Sequence, residues 1–249
     1  MRVLVSIDDT DNIHVKRGTG QLASEIAEAV EKFGWGRSEP VTRHQLLVHP
    51  DIPYTSHNSS MCFSADIQEE HLNDIIDYAS DFLVRESAAG SDPGLCVVAV
   101  DRLMRPGWLI AFGYMAKHEV VTIEDAYILA EELGVHLSEH GGTGQGVIGA
   151  LAGAGLRLSG NDGRFRGKIK IKADNDIASV REIRSQAWVD TVKCLEEGHI
   201  LDENDLVMLG ETVKTVLLDG KAVLLVSPMM LGDDQVQWVT CSKNQLKDY

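Results

Sequence analysis

The stretch Ile7-Asp8-Asp9-Thr10-Asp11 decides how the chain is read. It closes the first apolar run, Val3-Leu4-Val5-Ser6-Ile7, which is short, rich in β-branched residues and followed at once by polar ones. That is the pattern of a buried strand. In extended backbone Asp9 and Asp11 share one face and Asp8 takes the other; a tight turn after Ile7 brings all three towards one point. Carboxylates so close repel one another and stay ionised together only around a cation. An all-oxygen donor set at a strand end suits Mg²⁺, which keeps room for phosphate. Ligands collect at strand ends in open α/β sheets, so Asp8, Asp9 and Asp11 are candidate metal ligands and catalytic residues. The same residues also fit a solvated acidic turn in which Asp11 caps the next helix.

Downstream, Gly18-Thr19-Gly20 precedes a helix expected from Gln21 to about Phe33, with Leu22, Ile26, Ala29 and Val30 at helical spacing and Gly34 as its C-terminal stop. Strand, acidic and glycine-rich loop, then helix is the opening unit. A helix N-terminus preceded by glycines holds phosphate through backbone N–H groups. Thr10, Gly18 and Gly20 are therefore candidate cofactor-binding residues. Thr19 is a candidate catalytic hydroxyl, or only an N-cap. A second conspicuous stretch is His140-Gly141-Gly142-Thr143-Gly144-Gln145-Gly146, followed by the small-residue segment Val147 to Gly155. Its alternating glycines permit positive φ and a close approach to phosphate, so Gly142, Thr143, Gly144 and Gly146 join the cofactor-binding candidates. The spacing is neither that of the P-loop nor the Rossmann fingerprint, and a flexible loop before a tightly packed helix is the plainer reading.

Between these stretches Leu46-Leu47-Val48 reads as a strand, and His49 to Ser60, with two prolines and many hydroxyls, as a recognition loop. His57, Asn58 and Ser59 are its candidate substrate contacts; an ordinary polar connection is the alternative. A strand over Met61–Ile67, a helix from Glu69 to about Arg85 and a strand over Leu95–Val100 suggest a half-ferredoxin-like layer near residues 61–100. Helices follow around Trp108–Ala116 and Ile123–Leu133, the second opened by a capping-box-like Thr122 and Asp125. Gly160-Asn161-Asp162-Gly163 marks a turn and a composition boundary, dividing the chain into 1–160 and 161–249. Beyond it we expect a strand at Lys168–Lys172, a helix near Val189–Glu197, and a hairpin of Glu211–Leu218 and Lys221–Val226 around Asp219-Gly220. The fold class is α/β (α+β), with a small, largely β C-terminal region.

The 249 residues allow one large domain or two small ones, and a hydrophobic content of 44% argues against disorder. Apolar runs of signal-peptide or membrane-spanning length are missing, so a cytoplasmic protein without a membrane partner is expected. Cys62, Cys96, Cys194 and Cys241 are far apart and make no CxxC pair, the pattern of buried small hydrophobes rather than of a zinc ribbon or a disulfide framework. A net charge of −15 opposes unaided, tight nucleic-acid binding.

The acidic and glycine-rich stretches together resemble the agmatinylcytidine synthetases that act on an isoleucine tRNA. The matches run in order over about residues 1–155: Ile7 to Asp11; Thr19 before Leu22-Ala23; Pro50 with Ile52-Pro53; and Gly146 with Ile148-Gly149-Ala150-Leu151-Ala152. Val120 to Glu124 fits more loosely. The resemblance implies a kinase-like α/β module with a ferredoxin-like part, binding ATP and Mg²⁺ and activating a cytidine carbonyl by phosphorylation before agmatine displaces the phosphate. It implies Asp8, Asp9 and Asp11 around Mg²⁺, Thr19 near the γ-phosphate, and Gly142 to Gly146 beside the nucleotide. Two departures stand out. The family's Lys and Arg in this loop fall on Thr55 and His57, leaving protonated His57, Arg43 or a second Mg²⁺ to supply positive charge. The family's oligonucleotide-binding and zinc-ribbon parts find no match in residues 161–249. The expectation is an ATP- and Mg²⁺-dependent phosphotransferase or ligase-like enzyme acting on a small or nucleoside-like acceptor, or on tRNA with a partner chain. The alternative is a nucleotide-binding regulatory or assembly subunit without turnover. A homo-oligomer is compatible with either.

Overall fold

The computed structural model describes residues 1–52, 58–211, 213–231, 235–247 and 249, in two units, Met1–Ser159 and Gly160–Tyr249. In the first, β1 (Arg2–Asp8) runs through the middle of the sheet. Ser6 stands opposite Cys62 of β4 (Ser59–Ile67) on one side and Cys96 of β5 (Gly94–Ala99) on the other, both pairings antiparallel. β3 (Thr42–Gln45) lies beyond β4, and β6 (His136–Glu139) beyond β5, giving the order β6-β5-β1-β4-β3. β2 (Gly36–Ser38) pairs further along the same side of β4. The edge is thus in two pieces with Pro40, which has no N–H to donate, between them. The pairings among these strands are antiparallel.

Period-2 alternation in β1 separates two cores. Val3, Val5 and Ile7 pack with Leu22, Ile26 and Val30 of α1 (Thr19–Lys32) and with Ile75, Phe82 and Leu83 of α2 (Leu72–Glu86). Leu4 on the other face joins Leu109 and Phe112 of α3 (Pro106–His118), Ala126 of α4 (Ile123–Leu133), and Val147, Leu151 and Leu156 of α5 (Gly146–Ser159). In the strand–helix–strand of residues 61–100, β1 lies between the two strands. The expected capping box at Thr122 and Asp125 is formed, and Gly134 ends α4 at φ +64°. α5 lies so close to the sheet that side chains would not fit: a β-carbon at Gly153 would fall 2.1 Å from Ser60 Oγ, and one at Gly155 2.1 Å from the carbonyl oxygen of Leu109 in α3.

The strand expected at Leu46–Val48 lies earlier, at β3. Leu46 N–H still bonds the Asn58 carbonyl, but Leu47 N–H turns away to the carbonyl of Ala116. β3 escaped notice because its sequence, Thr-Arg-His-Gln, is polar although Thr42 and His44 are fully buried.

The second unit is largely β. β7 (Arg164–Phe165), β11 (Thr215–Leu218), β12 (Lys221–Leu231), β13 (Gln235–Thr240), β10 (Leu206–Met208) and β8 (Ile177–Ser179) follow one another in the sheet. β9 (Thr191–Cys194) runs parallel to β12. The hairpin of β11 and β12 turns at Asp219-Gly220, both at positive φ. Two expectations fail here. The helix near Val189–Glu197 is replaced by β9, where Val192 and Cys194 point inward at period 2; the helix of this region is α6 (Val180–Gln186). Lys168–Lys172 is not a strand. Ile169 and Ile171 pack on the core as the alternation implies, but Lys172 bonds the Gln186 side chain rather than a neighbouring strand. Among the described residues no helix is long and apolar enough to cross a membrane. All four cysteines are free and buried.

Candidate functional site

β1 delivers Asp8 to the end of the sheet, and Asp9 turns the chain there at φ +49°. Aspartate tolerates this left-handed conformation because its short side chain bonds locally, and the Asp8 carboxylate accepts the Asp9 N–H at 2.9 Å. The Thr10 carbonyl accepts the Ala88 N–H at 2.9 Å, tying the turn to the segment after α2. Asp11 folds back so that its Oδ2 accepts the Thr19 N–H at 3.3 Å. It therefore supplies the N-terminal partner of α1 that Gly18, the cap residue, lacks.

The turn borders a cavity of about 310 Å³, at the lower end of the roughly 300–1,000 Å³ usual for small-molecule sites. Of the residues singled out from the sequence, Asp8, Asp9, Asp11, Gly18, Thr19, Gly20, Asn58, Ser59 and Gly146 line it. Thr10 does not; it is buried, and its hydroxyl donates to Thr19 Oγ1 at 3.1 Å. Gly142, Thr143 and Gly144 are not in the lining either. The Thr143 backbone N–H and hydroxyl both donate to the Asp92 carboxylate, and a β-carbon at Gly144 would meet the Glu139 side chain. His57 lies outside the described residues.

Two helix N-termini open on the cavity, α1 through Gly18 to Gly20 and α5 through Gln145 and Gly146. Each presents partial positive charge and backbone donors, the arrangement that holds phosphate. Arg43 is the one Lys or Arg among the described lining residues. Its Nε donates to Ser59 Oγ and its Nη2 to Gln45 Oε1, both at 3.0 Å. Asp51 and Glu119 add further carboxylates, and Leu46, Ile52, Ala116, Val120, Val121 and Ile148 give an apolar wall. Ile52, Val120, Val121 and Ile148 belong to the matched motifs, but no local pattern in the sequence joins them with Leu46 and Ala116 into one apolar wall.

Burial pushes the Asp8 carboxyl up to about 7, with the charges of Asp9 and then Asp11 adding to the effect. Burial likewise raises Asp9 to about 6, helped by Asp92 and Asp11. Both are oxygen donors short of local positive charge, which fits a hard divalent cation. The three aspartates do not close on one point, however. Among the described residues the group of three whose ligand atoms all lie within 4.8 Å is Cys194, Glu197 and His199 in the second unit. Asp11 is turned to the α1 terminus, where its Oδ2 accepts the Thr19 N–H.

Fold and cavity together define a mixed α/β module with an acidic cleft between helix N-termini. The proteins it is similar to are synthetases that modify an isoleucine tRNA, as the motif order had indicated. The isoleucine-tRNA 2-agmatinylcytidine synthetase TiaS of Haloquadratum walsbyi is 31% identical over 157 residues, covering 61% of this chain and 32% of that protein. Apo TiaS, described as an isoleucine-tRNA agmatidine synthetase, superposes with a TM-score of 0.51 at 26% identity, over 62% of this chain and 35% of its own. TiaS in complex with its isoleucine tRNA and ATP gives 0.52 at 27%, over 62% and 36%. TiaS with the same tRNA, AMPCPP and agmatine gives 0.50 at 26%. This chain spans about a third of the length of these relatives. No protein-family model matches it.

Proposed function

We propose that the Met1–Ser159 unit is an ATP-dependent activating module, an enzyme of transferase or ligase type that phosphorylates an oxygen of a nucleoside-like acceptor. One observation carries the reading: Asp8, Asp9, Thr19 and Arg43 share one cavity with the first turns of two helices and an apolar wall. The triphosphate lies at the N-termini of α1 and α5, where backbone donors and helix dipoles favour anions. The adenine rests on the wall formed by Leu46, Val120, Val121 and Ile148. Asp8 and Asp9 hold Mg²⁺, which supplies charge neutralisation when bound. Thr19, pinned by Thr10 and Asp11, orients the terminal phosphate. Arg43 provides the cation that the resemblance would place at positions 55 and 57. Asp51 and Glu119 suit a cationic second substrate, and agmatine is what one relative binds. We read the sequence β1-α1-β2/β3-β4-α2-β5, with strand order β5-β1-β4-β3 and both helices on one face, as ferredoxin-like. A chain of net charge −15 meets tRNA through a partner that contributes basic surface; the setting is cytoplasmic.

The test is a thermal-shift titration with ATP, with and without Mg²⁺, on the wild type and Asp9→Asn. Binding to the native state alone raises its stability by mass action. A Mg²⁺-dependent shift lost in the variant is expected, followed by phosphate release when cytidine or tRNA with a partner fraction is added. No shift at saturating ATP removes the nucleotide from this cavity, and the proposal with it.

A further inference from the structure

The second unit carries a cluster with no part in this reading. We propose that the hairpin after β9 is a Zn²⁺ site, with Cys194, Glu197 and His199 as its protein ligands. Their donor atoms all lie within 4.8 Å of one another. Zinc bond lengths of about 2.0–2.3 Å in tetrahedral geometry place ligand atoms roughly 3.2–3.8 Å apart. His199 Nδ1 and Glu197 Oε2, at 3.2 Å, already meet that spacing, and small rotations of exposed side chains close the rest. The donor set of one thiol, one imidazole and one carboxylate suits zinc better than Mg²⁺ or Ca²⁺, which take oxygen alone. Three protein ligands leave the fourth position to water or a small anion.

The scaffold is built to hold these groups together. Cys194 N–H donates to the His199 carbonyl at 2.9 Å, and Gly198 N–H to the Cys194 carbonyl at 3.0 Å. Gly198, at φ +73°, makes the turn that returns His199 beside Cys194. Lys193 and Ile200 bridge the next position outward. Cys194 is fixed from below by the parallel pairing of β9 with Val226 of β12. The Trp238 ring stands edge-on to the His199 imidazole, with centroids 5.2 Å apart, and limits its rotation. Metal-free, the thiol donates to Glu196 Oε2 at 3.4 Å; on binding zinc the thiolate forms and releases its proton to solvent. The sequence spacing C-x-x-E-x-H matches no zinc-ribbon pattern, so cysteine counting does not find it.

Full-length protein, stripped with a chelator, is titrated with Co²⁺ and then Zn²⁺. A thiolate-to-cobalt charge-transfer band saturating at one metal per chain, and abolished by Zn²⁺, is expected. This band requires a cysteine ligand, so metal at the aspartates of the first unit does not mimic it, and Asp9→Asn and Cys241→Ser leave it unchanged. His199→Ala and Glu197→Gln each weaken binding by about tenfold or more, and Cys194→Ser removes the band. Should Cys194→Ser fail to fold, the variants at the two exposed ligands decide. Absence of the band at stoichiometric Co²⁺, or an unchanged affinity in both His199→Ala and Glu197→Gln, overturns the site.

Discussion

Gly149 gives the Asp8 carboxylate its place against the first turn of α5: a β-carbon at 149 would fall 1.6 Å from Asp8 Oδ2 and 2.6 Å from Asp8 Cγ. Asp8 thus sits where the partial positive charge of a helix N-terminus meets the cavity. Gly146, one turn earlier, has a different constraint. Its β-carbon would fall 1.9 Å from the Asp92 carbonyl oxygen and 2.8 Å from the Gly94 nitrogen, both main-chain atoms.

This difference separates function from stability. In Gly149→Ala the Asp8 side chain swings aside, at a cost of about 1 kcal/mol, and the Mg²⁺-dependent response to ATP is lost. In Gly146→Ala the backbone of β5 must move, costing about 2–3 kcal/mol. Denaturant unfolding of the two variants, with nucleotide titration of Gly149→Ala, checks both statements. A Gly149→Ala protein that keeps the full ATP response contradicts the role given to Asp8.

The acidic pair gives the metal-free protein an unusual pH dependence. Asp8 is raised from 3.8 to about 7 and Asp9 from 3.8 to about 6. The folded state therefore binds more protons than the unfolded chain across that interval, and the stability due to the pair is present below about pH 4 and lost as pH rises towards 7. A three-unit shift corresponds to at most about 4 kcal/mol; water in the open cavity screens the charges, and a loss on the order of 1–2 kcal/mol is expected. Measured against Asp8→Asn, which removes most of this slope and cancels the titration of other carboxylates, the wild type loses stability with rising pH in chelator. With Mg²⁺ the slope flattens. Equal slopes in wild type and Asp8→Asn would show that the pair is not coupled to folding.

The parts of the molecule visible in the sequence are those where one local signal suffices. β1 and its acidic end show a β-branched run followed at once by charge; α4 shows both its Thr122 cap and its Gly134 stop. β3 was hidden because its buried face belongs to Thr42 and His44, polar residues satisfied by each other and by the Cys62 carbonyl of β4. The Thr42 hydroxyl donates to the Cys62 carbonyl at 3.0 Å and contacts His44 Nε2 at 2.7 Å. The cavity was half visible. Asp8, Thr19, Gly146 and Ile148 lie in recognisable motifs, whereas Leu46 and Ala116 join the cavity only through packing. Glycine spacing alone does not say what lies close to the backbone; at Gly142 and Gly144 an added β-carbon would meet the Asp92 and Glu139 side chains.

Arg43 offers a sharper test of phosphoryl transfer than the aspartates do. Its planar guanidinium holds Ser59 and Gln45 while lining the cavity. A lysine keeps the charge but not the fork. Arg43→Lys is expected to lower turnover by roughly tenfold or more while changing unfolding free energy by less than about 1 kcal/mol, and Arg43→Ala to lower it further. Steady-state phosphate release in the two variants, with unfolding as the control, is the measurement. Wild-type turnover in Arg43→Ala would move the essential cation elsewhere.

The buried Arg157 on α5 tests the packing of the first unit. Its side chain is 2% exposed and reaches Glu39 Oε2 at 2.6 Å, and its Nη1 donates to Thr42 Oγ1 at 3.2 Å, whereas Glu39 is 46% exposed. The two halves of this pair are not equivalent. Arg157→Met leaves a carboxylate that turns to water and a Thr42 hydroxyl still engaged with Cys62 and His44, so a cost of about 1 kcal/mol is expected. Glu39→Ala removes the carboxylate facing a buried guanidinium that keeps its bond to Thr42 Oγ1, and weakening the pairing of a buried charge is the more expensive change; about 2–3 kcal/mol is expected. Arg157→Met combined with Glu39→Ala should then be more stable than Glu39→Ala alone, because the double variant no longer buries the charge. Urea unfolding of the three proteins reads this out, and a double variant less stable than Glu39→Ala would mean that Arg157 is held by packing of its methylene stem rather than by its pairing.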